Sequence, residues 1–162
     1  MSKPLLTPQG DFPPAGLTRR LAAVFYDLLL CTALSMVTTG VYKMVQMGIL
    51  GEARMRELTE SGALDGDPVL STVLVFVLFG FFAKFWVHGG QTLGMQVWGV
   101  RVQNADGSAI SLWQALLRFL VAIASWGCLG LGFWWILWDG RKRGWHDIYS
   151  ETELVRVPKK GK

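Results

Sequence analysis

The chain has 162 residues, of which 51% are hydrophobic and only 17% are charged, against about a quarter in soluble domains. This composition excludes a disordered chain, a collagen-like chain and a disulfide scaffold, and it favours an integral membrane protein. The formal net charge is +4. Anionic lipid and the positive-inside rule account for that charge, so we expect the lipid bilayer as a partner and no nucleic acid.

The first half of the chain carries two apolar segments. Residues 1–16 are polar and rich in proline, and they predict a mobile tail ahead of the first helix. The first apolar segment covers residues 21–42, with Asp27 as its single charge. The second covers residues 69–87, and Lys84 lies near its end. Each segment is long enough to cross about 30 Å of hydrocarbon.

Between the second and third apolar segments, the pattern of apolar residues changes from continuous runs to a period of two. Within residues 98–103, large apolar side chains at 98, 100 and 102 alternate with glycine or polar residues at 99, 101 and 103, as in a half-buried strand. Residues 104–107 (NADG) predict a turn, and residues 108–111 can return as a second strand. Ser111 and Gln114 have the spacing of a capping box, which predicts a helix start. We therefore expect a small β-hairpin at the membrane surface, followed by a helix.

The third apolar segment has two interpretations. Residues 119–138 carry no charge, which fits a plain third span. Alternatively, glycines within residues 127–132 break the longer stretch 112–138 into a helical hairpin that enters the membrane and returns. The positive-inside rule favours the second interpretation, because it places the N-terminus, the middle loop and the basic tail together in the cytoplasm. A strand at residues 152–157 would then pair with the β-hairpin.

Asp27 is the strongest candidate for function. A charged side chain at this depth costs about 2.5–3.5 kcal/mol on insertion scales, so it usually faces the bundle interior and has a partner. One hypothesis is an ion path, which would continue along the polar stripe formed on the same helix face by Cys31, Ser35 and Thr39. The favoured hypothesis is a buried ion pair with Lys84 or Arg118, which should lie in the same leaflet. Arg118 is the preferred partner, because guanidinium suits a bidentate pair.

Three stretches of the chain resemble the RDD family of small membrane proteins. They are residues 20–30 (RLAAVFYDLLL), residues 90–107 with their GQTLG, VRV and DG groups, and residues 143–157, which open with RGWHD. By this resemblance the arginine and the two aspartates of the family name are Arg20, Asp27 and Asp147. With a cytoplasmic tail, Asp147 is a candidate partner for Arg20; the alternative partner is a lipid phosphate. The resemblance implies a membrane domain over residues 17–157, followed by a basic tail over residues 158–162.

The expected fold is an all-α membrane protein: a small helical bundle of three apolar segments with a surface β-hairpin between the second and third. We expect a multi-pass protein of a bacterial-type inner membrane. One functional hypothesis is transport of a cation or other small solute past Asp27 by a homo-oligomer. The alternative is a non-enzymatic scaffold or accessory subunit for another membrane protein. The RDD resemblance implies suspected transport, with sodium/proton exchange in some members and accessory roles in others.

Catalytic and metal-binding motifs are missing from the sequence. It contains no nucleophile elbow, no HExxH and no P-loop, and its two cysteines lie apart in apolar runs. We therefore expect no enzyme activity, no catalytic residue, no metal site and no cofactor.

Overall fold

The computed structural model describes residues 4–62 and 66–158. Most of the described chain is helical, as expected. The elements in chain order are α1 (Leu17–Leu50), α2 (Glu52–Glu60), α3 (Pro68–Gly89), α4 (Leu93–Trp98), β1 (Val100–Gln103), α5 (Leu112–Gly127), α6 (Leu131–Trp134), α7 (Trp145–Tyr149) and β2 (Glu153–Arg156). A 3₁₀ turn over Trp135–Leu137 continues α6.

Two of these helices, α1 and α3, are long and apolar enough to cross a membrane. This assignment rests on length and composition. With 34 residues, α1 is about 51 Å long at ~1.5 Å per residue. Few of the residues in either helix are buried within the chain. Helices that are apolar on all faces are typical of membrane spans.

The third apolar segment is a broken helix. Two of the three expected apolar segments therefore form long, membrane-capable helices, and the three-segment bundle is not fully confirmed. The chain bends by 109° between α5 and the stretch Leu131–Leu137. Leu129 and Gly130 lie between them, both in the left-handed region with φ of 55° and 76°. A residue with positive φ ends the α-helical path. The break falls within the glycine-containing stretch that the sequence marked.

The small sheet differs from the expected hairpin. Strands β1 and β2 pair antiparallel, with Val102 opposite Leu154. The expected tail strand therefore does pair with the middle block. The turn after β1 also forms, since the Gly107 N–H donates to the Asn104 carbonyl at 2.9 Å. Residues 108–111, however, form no return strand, because the N-terminal segment occupies their backbone groups: the Ala109 N–H donates to the carbonyl of Pro4 at 2.9 Å.

The expected mobile N-terminal tail is instead packed against this sheet. The Ala15 N–H donates to the Leu154 carbonyl, and the Arg156 N–H donates to the Pro13 carbonyl, each at 2.8 Å. The side chain of Ala15 is fully buried. Prolines lack an N–H but keep a carbonyl, so a proline-rich segment suits the outer edge of a sheet. Of the expected basic tail, residues 159–162 lie outside the described part of the chain.

The chain divides into two compact units. The first contains the chain up to Leu28 and from Phe81 onward, and its described residues are called the platform below. The second contains Leu29–Gly80. Within the second unit, the Tyr42 hydroxyl donates to the Asp67 carboxylate at 2.8 Å. The same carboxylate accepts from the first backbone N–H groups of α3, at Val69 and Leu70.

Candidate functional site: a buried arginine–aspartate cluster

Asp147 is buried in the platform, in the first turn of the short helix α7. Its side chain has no exposed surface. The Gly144 N–H donates to Oδ2 of this carboxylate at 3.0 Å, so the aspartate caps its own helix. A Cβ on Gly144 would lie 2.8 Å from the His146 ring and 2.9 Å from the Gly132 carbonyl. Only glycine fits at this approach, which explains the glycine before Trp145 in the sequence.

Two buried arginines bind this one carboxylate. Arg20, in the first turn of α1, forms an ion pair with Oδ2 through Nη1. Arg118, on α5, lies with Nη1 at 2.6 Å from Oδ1. The cluster therefore joins three elements that are far apart in the sequence. It holds two positive charges against one negative charge, and the three side chains are at most 8% exposed.

The remaining donors of the two guanidinium groups are directed to neutral acceptors. Arg20 donates from Nε to the Ala15 carbonyl at 3.0 Å and from Nη2 to the Lys142 carbonyl at 2.8 Å. Arg118 donates to the Thr152 hydroxyl at 2.7 Å, and its guanidinium lies 5.4 Å from the centre of the Trp86 ring. Carbonyl dipoles and the ring face partly offset the excess positive charge.

His146 is the nearest further titratable group. Its Nε2 lies 3.6 Å from Oδ1 of Asp147. Burial lowers the pKa of His146 to about 3, even though the negative charge of Asp147 favours protonation. Burial alone would raise the pKa of Asp147, but the charges of Arg118 and Arg20 outweigh it and hold that pKa well below its usual range. At neutral pH the cluster is therefore an ionised aspartate, a neutral histidine and two guanidinium ions.

Asp27 forms a second buried anchor, on α1. The Thr92 hydroxyl donates to its Oδ2 at 2.5 Å, and the Gly94 N–H donates to its Oδ1 at 3.0 Å. Thr92 also caps α4, accepting from the Met95 N–H at 3.2 Å. A Cβ on Gly94 would lie 2.5 Å from the Ala23 carbonyl. The carboxylate of Asp27 thus fixes the start of α4 against α1.

The expected ion pair of Asp27 with Arg118 or Lys84 is wrong. Arg118 pairs with Asp147 instead, and Asp27 is held by neutral donors. Lys84 is exposed and makes no ion pair within the described residues. Asp27, Lys84 and Arg118 were expected at similar depth in one leaflet, but similar depth does not fix the direction in which the Arg118 side chain points. The candidate pair of Arg20 with Asp147 is present.

The polar stripe on α1 lies beyond these anchors, in the second unit. Its three members are all half-buried: Cys31, Ser35 and Thr39. Sequence reasoning missed Thr92 and Gly94 as partners of Asp27. Both lie in the GQTLG group, where a helix-capping threonine followed by a glycine was the available signal. Within residues 4–62 and 66–158, no cluster of His, Cys, Asp and Glu could hold a metal ion.

The amino-acid sequence is similar to a known family of proteins. The family model described as "RDD family" matches residues 14–151, which contain both anchors. The "Uncharacterized protein YxaI" of Bacillus subtilis (strain 168) is 31% identical over 91 residues, covering 53% of this chain and 58% of that protein. The match thus spans little more than half the length of this curated relative. No solved structure matches the chain. With the family model covering most of its length, the chain belongs to the RDD family.

Proposed function

We propose that this protein is a non-enzymatic membrane scaffold or accessory subunit for another membrane protein. In this proposal α1 and α3 cross the bilayer and anchor the chain in it. The observation that carries the proposal is the engagement of Asp27. Both oxygens of this acid accept hydrogen bonds, and the residue is only 6% exposed.

A cation path past Asp27 would require these bonds to break. A carboxylate that relays a proton or binds a cation must exchange partners during the cycle. Here the carboxylate is enclosed by Thr92 and Gly94, and its removal would leave the start of α4 without an anchor. An unsatisfied buried donor costs about 1–3 kcal/mol, so each exchange would disturb the local fold. The hydrogen bonds of Asp27 therefore favour a structural role for this aspartate.

The buried cluster supports the same conclusion for the other two residues of the family name. Arg20 and Asp147 point into the platform and bind each other, so neither is presented to a ligand at the surface. The cluster locks α1, α5 and α7 together. A rigid body carried by membrane helices is what a docking subunit requires.

The pairing of β1 with β2 supports a two-crossing topology. Paired strands lie on one side of a membrane, because backbone groups at a sheet edge do not pass through hydrocarbon. The 109° bend after α5 then corresponds to a helix pair that enters and returns. The positive-inside rule assigns this side to the cytoplasm. The protein is accordingly proposed to be a multi-pass protein of the inner membrane.

Flux measurements separate the scaffold from a transporter. The purified chain is reconstituted in vesicles of phosphatidylethanolamine and phosphatidylglycerol, and proton, sodium and potassium flux are measured. The scaffold proposal expects no flux above that of empty vesicles. Cation flux that disappears in folded Asp27→Asn protein would overturn the proposal in favour of a homo-oligomeric transporter past Asp27.

Photo-crosslinking in native membranes tests for a partner directly. A photoreactive residue replaces Leu129, which is 91% exposed at the break after α5, and a second variant carries it at Met36, 72% exposed on α1. The proposal expects at least one of these sites to give an adduct of defined mass with a different protein. Adducts only at twice the mass of the chain would indicate a homo-oligomer, and adducts only with lipid would contradict the proposal.

A further inference from the structure

A basic cleft opens on the platform, and its lining does not include the buried cluster residues. Its volume is about 400 Å³, and its lining includes Phe12, Arg19, Gly99, Arg156 and Pro158. Sites for small molecules and headgroups typically enclose about 300–1,000 Å³. The cleft is therefore large enough for a group the size of a lipid headgroup.

Backbone hydrogen bonds fix the walls of this cleft. The Val157 N–H donates to the Gly99 carbonyl at 2.9 Å, which closes one wall. Gly99 itself has a φ of 61° and turns the chain from α4 into β1. On the other side, the N-terminal segment is tied to β2 through the bond from the Arg156 N–H to the Pro13 carbonyl. The cleft is thus a built feature of the fold and does not depend on side-chain positions alone.

Two arginines give the cleft its charge. Arg19 donates from one Nη to the Trp98 carbonyl at 2.9 Å, which orients the guanidinium and leaves its other donors for a ligand. Arg156 is exposed. Neither arginine forms an ion pair with a carboxylate within the described part of the chain, whereas Arg54, Arg56 and Arg143 each do. The sequence continues beyond Pro158 with three lysines and no acidic residue.

The position of the cleft indicates where its ligand comes from. Arg19 lies in the first turn of α1, where the first apolar segment begins. Trp98, its hydrogen-bond partner, packs edge-on against Tyr26 with ring centres 6.4 Å apart. Trp and Tyr are enriched at the membrane–water interface, so this pair marks headgroup depth. A cationic cleft at that depth faces the phosphates of the bilayer.

We propose that this cleft binds the phosphate group of an anionic lipid, held between Arg19 and Arg156. Guanidinium forms paired hydrogen bonds with phosphate oxygens, and two arginines lining one cleft suit a doubly charged or diester phosphate. The site would fix the platform to the headgroup layer. This inference does not depend on the scaffold proposal, since a transporter would hold lipid in the same way.

Lipid retention measured by native mass spectrometry tests the proposal. The full chain is purified from nanodiscs that contain phosphatidylcholine with added phosphatidylglycerol or phosphatidic acid, and bound lipid is counted for wild type, Arg19→Gln, Arg156→Gln and the double variant. Each single substitution is expected to weaken retention about fivefold, as a partly exposed charge-assisted contact should. Arg141→Gln is the matched control, because it removes the same charge from an exposed position of the platform outside the cleft.

Three outcomes decide the matter. Selective loss in the cleft variants supports the site. Equal loss in Arg141→Gln overturns it, because retention would then reflect surface charge in general. If inorganic phosphate at equal concentration displaces the lipid, the cleft recognises free phosphate and the lipid source is wrong. Because Arg156 is exposed, its variant keeps the test valid even if Arg19→Gln fails to fold.

Discussion

Arg20 and Asp147 form a buried ion pair although 127 positions separate them in the sequence. The pair connects the first turn of α1 to the last helix of the chain. Arg118 binds the other oxygen of the same carboxylate, so one aspartate compensates two guanidinium groups. Because two positive charges share one negative charge, removing Asp147 should destabilise the fold more than removing either arginine.

The first prediction follows from that charge count. Asp147→Asn leaves two guanidinium groups buried without a counter-ion, and we expect it to cost about 3–5 kcal/mol. Arg118→Gln leaves the neutral pair of Arg20 with Asp147, and it should cost about 1–3 kcal/mol. The double variant carries the same net charge as wild type and should be more stable than Asp147→Asn alone. Thermal unfolding in mild detergent measures all three.

Asp139→Asn is the control for this series. Asp139 pairs with Arg143 at 3.3 Å in a partly exposed site, so its loss should cost less than about 1 kcal/mol. If Asp147→Asn and Asp139→Asn have the same unfolding midpoint, Asp147 does not hold the platform together.

The second prediction concerns the close contact between α1 and α4. A Cβ at Gly94 would lie 2.5 Å from the Ala23 carbonyl and 2.8 Å from Oδ1 of Asp27. Gly94→Ala should therefore push the two helices apart and cost about 1–3 kcal/mol. Gly89→Ala is the control, because a Cβ there meets no atom within 4 Å. Equal melting temperatures for the two variants would show that α4 does not approach α1 this closely.

Local sequence patterns predicted parts of the fold correctly. The capping box of Ser111 and Gln114 forms as expected, because both of its hydrogen bonds lie within one helical turn. The tail strand also pairs with the middle block, as predicted. Its alternating residues indicated a strand, and the positive-inside rule placed both segments on one side of the membrane. The partner of Arg118 was not predictable in the same way. The partner of Arg118 depends on the bend after α5 and on the position of α7 beside α5. No residue near Arg118 in the sequence indicates either feature.

The N-terminal segment shows a second limit of sequence reasoning. Its prolines and polar residues are typical of a mobile tail. The same composition suits an extended edge whose carbonyls accept bonds, and the carbonyls of Pro4 and Pro13 do so. Once this segment binds residue 109, residues 108–111 are no longer available to pair with β1. A local pattern thus failed because a distant segment competed for the same backbone groups.

The third prediction is a pH dependence of stability. The pKa of His146 is about 3 in the fold, against 6.5 for an ordinary histidine. The unfolded chain therefore binds one more proton than the folded chain between these values. Stability should fall as pH decreases from about 6.5 toward 3, with a slope of up to ~1.4 kcal/mol per pH unit. Unfolding midpoints between pH 7 and 4.5 measure this slope before carboxylates titrate.

Histidine variants assign the slope. His146→Gln should flatten it, whereas His88→Gln should retain it, because His88 is exposed at the end of α3. A flat profile for wild type over this range would mean that His146 is not held neutral by burial.

The fourth prediction concerns which segments share a side of the membrane. Single cysteines at Ala105 and at Arg141, both exposed, flank the broken helix pair. They are introduced in a chain with Cys31 and Cys128 replaced by serine. Because β1 pairs with β2, both cysteines should resist an impermeant thiol reagent in intact cells and react in inverted membranes. A cysteine at Ser61, between α1 and α3, should react in intact cells, because the connection between two crossing helices lies on the opposite side from their other ends. Reaction of Ala105 and Arg141 from opposite sides would mean that the third apolar segment crosses the bilayer, and the pairing of β1 with β2 would then be untenable.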